Sequence, residues 1–451
     1  MSAAAAQSVE PSALSRVSLI VATATCFATF LYFIDRTAIR VPVFDMLDWL
    51  QFYDDRLRAN DWLGYLWTPG NGHRILFTRA LIAVDIQWLD GYGTASATFN
   101  AALWTLSILA AWQVVLTSKH SPIFNSFACC FVLLILSPTY IVTAISMPGP
   151  GQHLQTASFA LLTLVLFDNE INDGPLRASC RSCALTCACL SSFGVSGGLL
   201  IWPVLIWSGW RAGLSRYWIL SVIGTGFTFT TLYLWKMPAE SYQSAFSVKN
   251  VIASIDYGIR FLGLPWSHAA ELTWPSRVVG SIILTVGGFV ISRASIQREK
   301  PLRAQRIGAA LILFALLCAA AATVVRVDIP GPIPIRYAVL VVLAHLGLLL
   351  YALPYLLAIW EKGHARSLQW AAVIVALGWL GHSVVVGEMA AREADHYNDA
   401  WSRFIIGQWT PDMVHYIYPD RERARAGLAY LLSHQVNWTL TAAPVYYRPP
   451  I

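Results

Sequence analysis

Val17-Ser-Leu-Ile-Val-Ala-Thr-Ala-Thr-Cys-Phe-Ala-Thr-Phe-Leu-Tyr-Phe-Ile34 carries no charge and is bounded by Arg16 and Asp35. As a helix this run covers about 27 Å, close to the ~30 Å hydrocarbon core of a bilayer. Comparable runs lie near 94–117, 123–141, 154–167, 217–235, 277–292, 307–325, 337–359 and 368–388. They are continuous rather than alternating. In lipid only helices or closed barrels satisfy the backbone, and continuous apolar runs select helices. The composition agrees: the 451 residues are 56% hydrophobic and 12% charged, against about 25% charged in soluble domains, and the mean hydropathy is +0.54. The fold class is therefore an all-α polytopic membrane protein. One basic residue, Arg16, precedes the first run. With no small-residue cleavage site leading into a soluble domain, that run reads as an uncleaved first span.

Two segments need separate treatment. Ile75 to Asp90 is apolar but carries Arg79 and Asp85, charges that are costly at mid-bilayer. It reads as an interfacial helix. The segment 179–209 is broken by Ser191-Ser-Phe-Gly-Val-Ser-Gly-Gly198, which predicts two short helices with their apex on the far side. The total is about eleven transmembrane helices. With the N-terminus inside, Lys119, Arg177, Arg181, Arg211, Arg216, Arg293, Arg298, Lys300, Arg303, Arg306, Lys362 and Arg366 all fall in inner loops. The short outer loops near 142–153 and 191–198 hold no Lys or Arg. That is the positive-inside pattern, and a span at 75–90 would invert it. The expected organisation is a transmembrane domain over 1–389, with an outer loop at 35–93, and a small extracytoplasmic cap over 390–451. Within the cap, Arg421 to Leu432 reads as a short amphipathic helix.

The +6 charge is explained by topology and excludes a nucleic-acid partner as its cause. All eight cysteines lie in or beside apolar segments, so no disulfide framework is expected. Cys180-x-x-Cys183-x-x-x-Cys187-x-Cys189 lacks the second pair and the nearby His of a zinc site and reads as small residues packed in a helix. Asn437-Trp-Thr439 is a formal glycosylation triplet.

Chemistry is expected at the outer face. In Val41-Pro-Val-Phe-Asp-Met-Leu-Asp-Trp49, Asp45 and Asp48 share a helix face with Asp55. A carboxylate at a membrane surface can act as general base toward a hydroxyl or hold a divalent cation. The same residues also fit a plain solvated face. No cofactor is demanded, and a divalent cation is the one option left open. Thr68-Pro-Gly-Asn-Gly-His-Arg74 is a turn placing His73 and Arg74 near a helix N-terminus. That position suits an anion or simple headgroup anchoring. Arg326 and Arg336-Tyr337 border a short outer loop stiffened by Pro330, Pro332 and Pro334. Met147-Pro-Gly-Pro-Gly-Gln-His153 is an outer turn ending in Gln152 and His153.

In order and sidedness these motifs resemble the C-type glycosyltransferase (GT-C) superfamily, in particular its bacterial members that use polyprenyl-phosphate sugars. Asp45 matches the acidic motif of the first outer loop. Asn71-Gly72-His73-Arg74 matches an Asn-Glu-His-Arg pattern with Gly72 in place of Glu. Ser191 to Pro203 matches a broken helix pair ending in Trp-Pro, and Arg326 with Arg336-Tyr337 matches an Arg-loop-Arg-Tyr pattern. The resemblance implies an inverting glycosyltransferase of the plasma (bacterial inner) membrane, N-terminus cytoplasmic and C-terminus extracytoplasmic. It would move a sugar from a polyprenyl-phosphate donor to a glycan, lipid or protein acceptor. It also implies roles: Asp45 as base, Asp48 as second acid or metal ligand, and His73 as orienting group. Arg74, Gln152, His153, Arg326, Arg336 and Tyr337 would then hold the substrate and the departing phosphate. Gly72 leaves the chain either reliant on Asp45 and Asp48 or inactive. The alternatives are a transporter or flippase of lipid-linked sugars, an acyltransferase or polymer ligase using His153 or His345, and a non-catalytic scaffold of the same fold.

Overall fold

The computed structural model describes residues 13–37, 49, 52–53, 55–56, 59–70, 73–89, 93–118, 121–137, 140–146, 148–171, 177–237, 251–267, 273–297, 301–326 and 333–405, with Gln408, Ala429 and Ser433. Among them there is almost nothing but helix and no strand. In chain order the helices are α1 (Ala13–Arg36), α2 (Trp62–Trp67), α3 (Leu76–Trp88), α4 (Thr94–Leu116), α5 (Pro122–Leu136), α6 (Tyr140–Ser146), α7 (Pro148–Ile171), α8 (Arg177–Ser192), α9 (Ile201–Arg211), α10 (Arg216–Leu234), α11 (Val251–Leu262), α12 (Trp274–Ile296), α13 (Arg303–Arg326), α14 (Ala338–Ile359) and α15 (Ala365–Ile405).

Six helical runs among the described residues are long and apolar enough to cross a membrane. The last, Ile335–Arg403, is interrupted at Gly363, whose φ of 90° only glycine adopts readily. Other runs read from the sequence fall short of that length or apolarity for visible reasons. The run near 123–141 ends at Leu136 and restarts as the short α6. The segment 179–209 forms two helices, α8 and α9, joined by a 3-10 turn over Ser196–Leu200, as its glycines and serines predict. Helix α7 opens with Pro148-Gly-Pro-Gly-Gln-His153 and ends in acidic residues. It is enclosed by protein along most of its length, so packing rather than apolarity sustains it.

The charged interfacial segment is 13 residues long, about 20 Å and too short to cross. Its charges are buried in protein rather than lipid. Arg79 donates to Tyr65 O at 2.5 Å and Pro69 O at 3.4 Å. Asp85 accepts Ala95 N–H at 3.1 Å and so caps α4, with Gly93 at φ 73° making the turn.

Helices α1 and α15 run parallel. Cys26 Sγ meets Ala376 O at 3.6 Å, and Arg36 pairs with Asp395 at 3.1 Å. The first loop and the tail after α15 therefore leave from the same end of the bundle. Residues 390–405, the start of the expected cap, continue α15, and Trp401 is fully buried. The helix expected at 421–432 lies outside the described residues. At the opposite end, Arg303 bonds Thr117 Oγ1 at 2.7 Å, and Arg303 and Arg306 both clamp Asp168, at 3.1 and 2.7 Å. The bundle thus has a first-loop end and a basic end.

The core lies among α4, α5, α7, α13 and α14. Helices α13 and α14 approach backbone to backbone. A Cβ on Gly308 would fall 2.5 Å from Gly347 O, and one on Gly347 would fall 2.6 Å from Gly308 O. Small residues at facing positions are how membrane helices gain contact where lipid removes the hydrophobic drive.

Candidate functional site

The site is assembled at the first-loop end. Gly70 and His73 exchange two backbone hydrogen bonds of 2.8 and 2.9 Å, closing the turn that precedes α3. This turn projects His73 and Arg74 from the start of the interfacial helix. Arg74 is only 2% exposed. Its Nε donates to Tyr233 O at 2.6 Å, one Nη donates to Trp67 O, and its guanidinium lies 4.7 Å from the Trp67 ring centre. These bonds tie the loop to the end of α10. Through them Arg74 holds the turn in place. His73 Nδ1 sits 3.4 Å from Tyr233 Oη. Burial lowers the His73 pKa to about 4, and the charges of Arg326 and Arg336 push the same way. The ring is therefore neutral throughout the physiological range.

Across from this turn, His153 and Tyr337 stack with ring centres 4.7 Å apart and planes at 14°. The guanidiniums of Arg326 and Arg336 lie 5.4 and 5.6 Å from the Tyr337 ring centre. Arg326 ends α13. Arg336 and Tyr337 lie in the 3-10 turn before α14, so the α13–α14 pair delivers both cations to one place. His153 is 1% exposed, and neither of its ring nitrogens has a partner among the described residues. Gln152 Oε1, one residue before it on α7, is likewise buried and unpartnered there. A buried polar group without a partner costs about 1–3 kcal/mol, which is tolerable where a ligand or water completes it.

The structure therefore brings together His73, His153, Arg326, Arg336 and Tyr337, with Gln152 beside them. Asp45 and Asp48 lie outside the described residues. Their chain neighbour Trp49 is 5% exposed. It lies against both turns: a Cβ on Gly70 would reach 3.2 Å from Trp49 Nε1, and one on Gly149 would come to 3.8 Å from its ring. Asp55 is exposed. His345 is engaged elsewhere, accepting Trp266 Nε1–H at 3.1 Å, with its Nδ1 3.3 Å from Val341 O.

Two tyrosines of the site escaped the sequence reading. Tyr233 is the anchor for both His73 and Arg74. Tyr257, on α11, faces Arg326. Burial and then the neighbouring Tyr337 raise its pKa to about 12, against the opposing pull of Arg326 and Arg260. The signal for α11 was present: Val251, Ile252, Ile255, Ile259 and Leu262 keep helical spacing, with Asp256 and Arg260 one turn apart and paired at 2.9 Å.

Chemically this is a cluster of two cations and two imidazoles around an aromatic ring, groups suited to hydroxyl or phosphate oxygens. Among the described residues no group of three His, Cys, Asp or Glu side chains is placed to hold a metal ion. No protein-family model, no curated protein and no solved structure matches the chain.

Proposed function

We propose that this chain is a membrane glycosyltransferase that moves a sugar from a polyprenyl-phosphate donor to a cell-envelope glycan, lipid or protein acceptor. The observation that carries the reading is the convergence of His73, His153, Arg326 and Arg336 around Tyr337, at the end from which the acidic first loop departs. In this reading that end faces outward, the helices make eleven crossings in a GT-C-like arrangement, and the N-terminus is cytoplasmic.

Asp45 takes the proton of the acceptor hydroxyl. The oxygen attacks the anomeric carbon from the face opposite the phosphate, and the bond from that carbon to the phosphate oxygen breaks with inversion. The departing electron pair rests on a phosphate held by Arg326 and Arg336, and such preorganised charge lowers the barrier where negative charge develops. Asp48 supports Asp45 as a second acid or through a divalent cation. His73 and His153 are neutral donors and acceptors for sugar hydroxyls, and Gln152 joins them. Arg74 and Tyr233 position His73. The buried Trp49, directly after Asp48 in the chain, supports an acidic segment close to this pocket.

The test is transfer by the purified full chain in nanodiscs. It is offered radiolabelled polyprenyl-phosphate sugars and crude envelope acceptors. Wild type moves label from one donor and Asp45→Asn moves none, while Arg326→Gln with Arg336→Gln weakens donor binding by about tenfold or more. Near-normal transfer by Asp45→Asn removes the proposed base. Donor binding without turnover in wild type favours a carrier of lipid-linked sugars instead.

A further inference from the structure

Helix α11 is 12 residues long, about 18 Å, and too short to cross a bilayer. Its side chains fall into three sectors. Tyr257 and Phe261, one turn apart, are buried toward the site, with the Phe261 ring centre 5.8 Å from that of Tyr337. Asp256 and Arg260 form a charged strip. Val251, Ile252 and Ile255 make the third sector, and all three are more than half exposed, Ile252 to 85%.

This helix lies across the start of α12 rather than along it. Arg277 reaches both Asp256, at 2.7 Å, and Thr273 Oγ1, at 3.0 Å, so Asp256 is level with the first turn of α12. Towards its other end α11 touches α12 backbone to backbone: a Cβ on Gly263 would collide with Ser276 O, and one on Gly280 with Ile259 O. On its third side, a Cβ on Gly258 would stand 3.0 Å from Thr323 Oγ1, near the end of α13. Trp274 at the start of α12 and Trp235 at the end of α10 are both exposed at this end of the bundle. Exposed tryptophans at helix ends mark the headgroup level of a membrane. Deeper along the same two helices, Val278, Ile282 and Phe227 are exposed, and both helices are long and apolar enough to cross.

We propose that α11 is an interfacial anchor seated in the lipid leaflet at the first-loop end, with Val251, Ile252 and Ile255 among the upper acyl chains and Asp256 and Arg260 at the headgroups. Depth decides the occupant. Trp274 sets the headgroup level, and α11 crosses α12 at Ser276 to Gly280, about 3–9 Å further in. Interfacial helices rest at about 5–10 Å. The exposed apolar sector is also continuous with the outward faces of α10 and α12, whose partner in a membrane is lipid. The opposite face then brings Tyr257 and Phe261 to Tyr337, so one wall of the site is carried by a helix that the membrane supports. The inference is independent of the sugar-transfer reading, since it needs only a bilayer around α10 and α12.

The experiment is power-saturation EPR of the full chain in vesicles of phosphatidylcholine and phosphatidylglycerol. A nitroxide amino acid is encoded at position 252 or, in a second protein, at 255, which leaves the eight native cysteines untouched. Both positions are exposed, so the label does not disturb the packing of α11. Position 282, exposed on α12, is the acyl-chain reference, and position 362, exposed in the turn after α14, is the water reference. Labels at 252 and 255 should collide with dissolved oxygen in preference to a soluble nickel chelate, with a ratio close to that at 282 and several-fold above that at 362. A ratio like that at 362 places this face in water and overturns the proposal. Slow collision with both reagents means that protein covers the face, a second copy or another segment of the chain, and overturns it equally.

Discussion

Replacing Gly308 by alanine sets two opposite effects against each other, and their magnitudes decide the sign. In a helix interior, Gly→Ala ordinarily stabilises by about 0.5–1 kcal/mol, because glycine loses more backbone freedom on folding. At position 308, however, the new methyl would lie 2.5 Å from Gly347 O and 2.8 Å from Tyr351 N. These are backbone atoms that no rotamer change can move. Helices α13 and α14 must separate by about 1 Å to restore ordinary contact. Overpacking of this kind costs about 1–3 kcal/mol, so the net expectation is a loss of about 1–2 kcal/mol. Gly347→Ala meets Gly308 O at 2.6 Å and Ile312 N at 3.1 Å and should lose a similar amount. One separation accommodates both methyls, so the double variant should cost less than the sum, with a coupling of about 1 kcal/mol. Gly288 on α12, where a methyl would meet nothing within 4 Å, is the control, and Gly288→Ala should be neutral or stabilising. Unfolding of the purified chain in detergent, followed by tryptophan fluorescence, reads all four variants against wild type. Single variants within about 0.5 kcal/mol of wild type, or strictly additive losses, would refute the backbone contact between α13 and α14.

Two further outcomes follow from burial and charge. His73 has a folded pKa near 4 and an unfolded value near 6.5, so the unfolded chain binds its proton first as the pH falls. Stability from this group is complete above pH 6.5 and is lost between pH 6.5 and 4. The loss is about 2 kcal/mol after allowance for the partly accessible ring, and His73→Gln should flatten that part of the unfolding profile. Asp168→Asn leaves Arg303 and Arg306 facing each other across a buried amide. It should destabilise the chain by about 3 kcal/mol, and unfolding indistinguishable from wild type would show that solvent screens the cluster.

Much of the fold was legible because lipid imposes a simple rule. Uncharged runs near twenty residues must be helices, and α1, α4, α10, α12, α13 and α14 coincide with the runs read from the sequence. The turn at Gly70–His73 and the break at 191–198 were equally legible, since glycine, proline and serine act locally. Helix α7 follows a further rule: a helix enclosed by protein tolerates the polar ends that a lipid-facing helix cannot. The extent of α15 was hidden. Its polar continuation through Asp395 and Trp401 is supported by contacts with α1 that lie hundreds of residues away in the chain. Tyr233 and Tyr257 were missed for the same reason, because an apolar helix end gives no sign of which remote side chain it meets. Arg74 was legible as a charge at a helix N-terminus, but its partners Tyr233 O and Trp67 O were not.

The parallel pairing of α1 with α15 carries the sidedness further than charge counting does. Because Arg36 meets Asp395, both leave the bundle at the end where α3 begins and where α13 delivers Arg326. The arginines of the opposite end, Arg211, Arg303 and Arg306, are bound to carbonyls and to Asp168, whereas Arg326 and Arg336 face only aromatic rings among the described residues. The two cationic ends are therefore chemically different. At the basic end most of the arginine capacity is used to join helices α4, α7, α9, α12 and α13, and that joining would persist with any ligand removed. At the first-loop end Arg326 and Arg336 meet only aromatic rings among the described residues, which orients a cation while leaving its hydrogen-bond donors available. A bundle that needed Arg326 and Arg336 only for packing would have paired them as it paired Arg303 and Arg306. In the proposed transfer reaction, their pairing with rings instead of carboxylates is the feature that the donor phosphate would exploit.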